Sequence, residues 1–293
     1  MGMKKLKQIL LPFVLLALAA VLFFASCRQK GSETIAGDPW EVVLQRGHGK
    51  LAAYYVPAGG FAYMCDEGML TGVTVDILKD FSQFVMDAYG VELEIRFMEE
   101  ADWSIFYRKI AEGKDGMIGM GNVTITGERM QELTFSPPYM TNIASLITHE
   151  DAPRLQRLNE LGDTFEGRKA LAFEGTLHEN RLRTLTGSFY PDAEIKMAHT
   201  NDEILERVAE SDRYFAYIDL YNYRRASDRG MPLQRHPVAD EAAEQFGYIM
   251  PLETTWDGVI KEYFKHDGGL LNSQRYRYIM ETHLGKELAS LLL

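Results

Sequence analysis

DILKDFSQFVMDAYGVELEIRF, residues 76–97, changes its period in the middle. Ile77, Leu78, Phe81, Phe84, Val85 and Ala88 recur three and four apart, so a helix beginning at Asp76 would carry them on one face. Gly90 supplies the stop. From Val91 to Phe97 the apolar residues alternate instead, the period of a half-buried strand. Working outward, Leu51–Val56 is a short apolar run ending at Pro57 and reads as a strand. Asp102 can cap a helix over Trp103–Ala111, with Gly113 as its stop. Met117–Met120 is a strand flanked by glycines. Strand, helix, strand, helix, strand implies a parallel sheet covered by helices.

A second unit follows the same logic. Lys169–Phe173, Glu194–Ala198 and Tyr214–Ile218 read as strands, with helices over Thr176–Leu185 and Asn201–Ala209 between them. Phe246–Met250 reads as a returning strand, and helices near Trp256–Phe264 and Ser273–His283 close the chain. Two α/β units followed by a return of the chain imply two lobes with crossings near Tyr139–Leu146 and Ala239–Gly247. The expected lobes are 40–142 with 242–293, and 143–241. Small ligands bind in the cleft such an arrangement leaves.

Ahead of the lobes, Lys4, Lys5 and Lys7 precede an apolar run from Ile9 to Phe24, interrupted by Pro12. This is the pattern of an export leader, 1–27. Phe24-Ala25-Ser26-Cys27 resembles the lipobox of bacterial lipoproteins, which makes Cys27 the expected lipidation site; an uncut signal anchor is the competing reading. The polar, aperiodic stretch 28–39 reads as a tether. A lipidated Cys27 leaves Cys65 as a lone thiol, a small hydrophobe in most settings.

The formal net charge is −11, and it falls by three to −14 once Lys4, Lys5 and Lys7 leave with the leader. Such a surface repels phosphate backbones, so nucleic-acid binding has no electrostatic support. There is no CxxC, HExxH, GxSxG or Walker A pattern, and no metal or cofactor is expected. Gly116, Gly119 and Gly121 have the wrong order for a dinucleotide loop.

Leu70-Thr-Gly-Val-Thr-Val-Asp76-Ile-Leu, Thr124-Ile-Thr-Gly-Glu-Arg129 and Phe135-Ser-Pro-Pro-Tyr139 occur in that order. Gly175-Thr176, Ala216-Tyr-Ile-Asp219 and Phe246-Gly-Tyr248 follow. Together they resemble the solute-binding proteins of amino-acid ABC transporters, the type II periplasmic-binding proteins called family 3. The resemblance implies a two-lobe α/β fold, each lobe a mostly parallel sheet flanked by helices, with hinge crossings. It also implies closure on a small amino-acid-like ligand and delivery to an ABC permease, by a monomer held to a membrane through its lipid.

It assigns Arg129 as the clamp on an α-carboxylate, a role suited to a planar two-donor fork. Thr124 would donate its hydroxyl to the same group, Thr126 would cap the turn leading to Arg129, and Asn122 would contribute a backbone carbonyl. Thr176 would offer its N–H and hydroxyl at a helix N-terminus, or simply cap. Asp219 would accept the ammonium, or cap the next helix. Trp103 would stack on the ligand, and Phe61 would wall the side-chain pocket beside Tyr63 and Tyr55. Residues 57–61, Pro-Ala-Gly-Gly-Phe, lack the carboxylate many relatives carry there, and Asp115–Val123 is about two residues longer than usual in the family.

The alternatives are a secreted cyclohexadienyl dehydratase-like lyase, with Glu174 and His178 near the cleft, and a detached ligand-sensing module. The expectation is a binding protein rather than an enzyme. A sensor fused to a kinase, cyclase or transglycosylase domain is not expected of a chain ending at Leu293.

Overall fold

The computed structural model describes residues 35–293. The leader, Cys27 and the tether up to residue 34 lie outside the described residues. The last tether residues are already part of the body: Gly37 N donates to Gly116 O (3.1 Å) and Asp38 N to Lys50 O (2.8 Å). The indole of Trp256 in turn donates to Asp38 O at 3.0 Å. A boundary at Pro39 is therefore late, because these polar residues are held by backbone bonds that leave no hydrophobic trace.

The first lobe begins with α1 (Trp40–Arg46), β1 (His48–Tyr55) and a small hairpin of β2 (Tyr63–Met64) and β3 (Leu70–Thr71). Then come α2 (Val73–Tyr89), β4 (Glu92–Glu99), α3 (Trp103–Ala111), β5 (Met117–Thr124) and β6 (Leu133–Phe135). The second lobe runs from β7 (Met140–His149) through α4 (Leu161–Thr164), β8 (Lys169–Phe173), α5 (Leu177–Phe189) and β9 (Ile195–Ala198). It continues with α6 (Asn201–Glu210), β10 (Tyr214–Asp219) and α7 (Leu220–Asp228). The long β11 (Leu233–Pro251) returns the chain to α8 (Asp257–Lys265), α9 (Gln274–Leu284) and α10 (Lys286–Leu292).

The strands lie in the order β4-β1-β5-β11-β7-β10-β8-β9, with β6 beside β11. β1 is parallel to β4 and β5, and β8 is parallel to β9 and β10. Between these parallel halves run β7 and β11, antiparallel to each other and shared by both. Their register shifts between His236 and Glu241 and again before Glu244. Such irregularities bend a strand pair. Each half has apolar clusters of its own. Phe81, Ile118, Trp256 and Met280 belong to the first lobe, Phe165, Ala172, Phe215 and Tyr217 to the second. Among the described residues no helix is long and apolar enough to cross a membrane.

Several element readings need correction. α2 starts at Val73, three residues before Asp76, because Val73, Thr74 and Val75 are themselves buried. Gly72 makes the start possible: at φ 128 its backbone runs so close to the Phe61 carbonyl that any side chain would collide with it. Helix α7, directly after Asp219, has no counterpart in the sequence reading, nor do α1, α4 and α10.

Candidate functional site

Between the lobes lies a cavity of about 240 Å³. Residues 56–59 from the loop after β1, Trp103 from α3, and Asn122, Thr124 and Arg129 around the end of β5 face it from the first lobe. From the second lobe come Thr176, His178 and Arg181 at the start of α5, the N-terminal turn of α6, Asp219 and Tyr221. Glu244 on β11 completes the wall.

Arg129 is placed by the turn after β5. Its backbone N–H donates to Thr126 Oγ1 at 3.2 Å, so Thr126 caps that turn. Its Nη1 donates to the Thr124 carbonyl at 3.1 Å. The guanidinium lies over the Trp103 ring (5.2 Å to the centroid) and near the Tyr107 ring (5.7 Å), and these two rings stack at 5.3 Å. Burial pulls the Arg129 guanidinium below its ordinary value. Among the described residues no carboxylate forms an ion pair with it, so donors of its fork are left for a ligand at the cavity it lines. Tyr107 is pushed up to about 12, by burial first and then by its hydrogen bond to Glu132.

On the opposite wall, Asp219 occupies the N-cap position of α7 without capping it. Its Oδ1 accepts instead from Asn142 Nδ2 (2.5 Å) and His178 Nε2 (3.2 Å). Arg181 Nη1 donates to His178 Nδ1 at 3.2 Å. That bond makes Nδ1 the acceptor and leaves the ring proton on Nε2, directed at Asp219. Arg181 also pairs with Glu241 at 2.6 Å and with Glu244. Asn142 closes the circuit by donating to Glu244 Oε2 at 3.1 Å. Arg181, His178, Asp219, Asn142 and Glu244 thus form a ring of polar side chains contributed by α5, β10, β7 and β11. Arg181's charge is met inside the ring. Asp219 receives only neutral donors there, so the unpaired cation Arg129 on the first-lobe wall faces Asp219 on the second, where Asp202 from the N-terminal turn of α6 adds another carboxylate.

Arg129, Thr124, Asn122, Trp103, Thr176 and Asp219 all face this single cavity. Phe61 does not: it is fully buried behind the wall, packed on Tyr221 at 4.5 Å. Sequence reasoning placed it at the pocket because an aromatic in a cleft loop looks alike on either side of the wall. Two local expectations also change. Both the N–H and the hydroxyl of Thr176 are directed at the Phe173 carbonyl (3.3 and 2.8 Å), which leaves the following N–H groups of α5 at the cavity. Asn122, at φ 51, contributes a side chain that bridges Tyr221 (2.9 Å) and Tyr139 (2.7 Å). Arg181, Asn142 and Glu244 were missed, since the carboxylate and amide partners that define them lie 60–102 residues away in the chain. Cys65 is a free thiol, and no group of three or more His, Cys, Asp or Glu among the described residues is placed to hold a metal ion.

Comparison with known proteins agrees with this geometry. One curated relative, membrane-bound lytic murein transglycosylase F 1 of Alkalilimnicola ehrlichii, is 24% identical over 281 residues. The match covers 95% of this chain and 51% of the relative, so the chain spans about half that protein's length. Among solved structures, the arginine-, lysine-, histidine-binding protein ArtJ of Geobacillus stearothermophilus superposes with TM-score 0.63 at 22% identity. That superposition covers 81% of this chain and 96% of ArtJ. An ABC uptake transporter substrate-binding protein of Streptococcus pneumoniae, solved with bound histidine, gives 0.66 at 17% identity, covering 86% and 98%. Both carry the type II periplasmic-binding fold. Residues 53–265 match the family model described as bacterial extracellular solute-binding proteins, family 3, and the chain belongs to that family.

Proposed function

We propose that this protein is an extracytoplasmic, lipid-anchored binding protein that captures an amino acid or similar small zwitterion between its lobes and delivers it to an ABC transporter, with no catalytic step. The observation that carries this reading is the pairing across one cavity of an uncompensated guanidinium, Arg129, with a carboxylate that has only neutral donors, Asp219. A zwitterion must exchange water around both its charges for protein groups of opposite sign. Contact with both lobes favours the closed form by the difference in contacts between open and closed states.

Thermal-shift titration against the common L-amino acids and related small acids tests the reading. A ligand at about 100 times its dissociation constant adds roughly 2.7 kcal/mol of stability. Arg129→Ala is expected to lose about 2–5 kcal/mol of affinity while the apo protein still folds. Unchanged affinity in that variant would contradict the proposal.

A second reading, a ligand-sensing module, is favoured by the match to half of a lytic transglycosylase. It shares the binding site and differs only in what closure reports to. A lyase needs a free general acid in the cleft. Against it stand His178, whose two ring nitrogens are both engaged, and Glu174, an exposed residue paired with His199 at 2.9 Å.

A further inference from the structure

The loop segment 56–59 walls the cavity on one side. On its other side it receives a guanidinium from the opposite lobe. Arg225 stands one turn beyond Tyr221 on α7, and α7 begins directly after Asp219. One face of α7 belongs to the second lobe, where Ala226 joins the apolar core. The face bearing Tyr221 and Arg225 meets the first lobe: Tyr221 packs on Phe61 and bonds Asn122. Arg225 fills the space that a side chain at Gly59 would need; at Gly60 that space is taken first by Leu284, with Arg225 only in ordinary contact. The three atoms nearest to where a Gly59 Cβ would stand all belong to its guanidinium. Gly59 itself has no left-handed backbone requirement.

Arg224 pairs with Glu287 at 3.2 Å, whereas among the described residues no carboxylate stands within ion-pair distance of Arg225, and Asp202 attracts it only from further away. Burial, followed by the neighbouring Arg229, holds its guanidinium below the ordinary value. A partly desolvated cation without a direct ion pair is unfavourable by itself, so a salt bridge does not explain its place.

We propose that Arg225 is a positioning residue for the closed cleft: seated against Gly59, it holds the cavity wall 56–59 against the helix that follows Asp219, without lining the cavity. The effect on binding rests on the ligand site proposed above; the seating itself does not.

The test uses the full chain, with Arg225→Ala, Gly59→Ala and the double variant. Gly59→Ala leaves the charge in place and evicts the guanidinium from its seat. Amide hydrogen exchange across residues 58–62 is expected to quicken about tenfold in each single variant. Affinity for whichever amino acid gives the largest thermal shift with the wild type should weaken by about the same factor. The double variant should be no worse than Arg225→Ala, because both changes remove one contact. The thermal midpoint of the unliganded protein should stay within a few degrees of wild type, which a merely structural role would not leave in place. Unchanged exchange in both single variants, or losses that add in the double variant, would overturn the proposal. If no amino acid shifts the wild type, the zwitterion reading falls and the exchange measurements alone decide on Arg225.

Discussion

At the scale of single residues, the site separates groups that announce themselves locally from groups defined only by their partners. Arg129 sits in a short motif with its own capping threonine, Thr126, and Asp219 ends an apolar strand, so both were legible. Asn142 was not. It is fully buried on a crossing strand and donates to Asp219 and Glu244 together. A buried carboxylate that loses a donor keeps its desolvation penalty, about 1–3 kcal/mol for each group left unsatisfied. Asn142→Leu, of similar size, should therefore lower unfolding free energy by about 2–5 kcal/mol in urea titrations and weaken ligand binding as Asp219 loses its aim. A loss below about 0.5 kcal/mol would show that water replaces the amide without cost.

At the scale of elements, the periodic segments were read correctly and the errors fall where periodicity is silent. Helix α3 begins as expected: Asp102 Oδ1 accepts from the Ile105 N–H at 2.8 Å. Asp102→Ala should cost about 1 kcal/mol of stability, measurable as a shift in the urea midpoint at unchanged slope. Because α3 carries Trp103, the ring beneath Arg129, the same variant should also weaken binding modestly. Helix α7 escaped notice because its sequence, LYNYRRASD, is mostly polar, with Leu220 and Ala226 its only aliphatic residues. Its two contact faces meet different lobes, so each face is short and mixed in polarity. β11 was recognised only from Phe246 to Met250, since its earlier half carries the polar and charged residues that bridge the lobes.

At the scale of the whole molecule, the crossing strands β7 and β11 carry a buried histidine that makes the protein acid-sensitive. His236 accepts from the Leu155 N–H through Nδ1 (3.1 Å) and lies 2.9 Å from Thr148 Oγ1 through Nε2, so Nδ1 cannot hold a proton in the folded state. Burial, with Arg154 nearby, pulls it from 6.5 to about 4. Between those values the unfolded chain binds a proton that the folded chain refuses. The contribution is thus complete above about pH 6.5 and is lost as pH falls toward 4, with a slope of up to about 1.4 kcal/mol per pH unit. Urea unfolding at pH 7 and pH 5 should show a smaller drop for His236→Gln than for wild type; equal drops would refute the assignment. The sequence alone determined the two α/β units and the family, and the family resemblance pointed to Arg129 and Asp219, because amphipathic period, capping and short motifs are written within a few residues of one another. The tertiary structure alone decided which side of the wall Phe61 occupies, that Arg181 is neutralised while Arg129 is not, and that Arg225 fills a glycine notch on the other lobe. Burial and charge pairing depend on what the chain brings alongside from far along its length, and no local pattern records that.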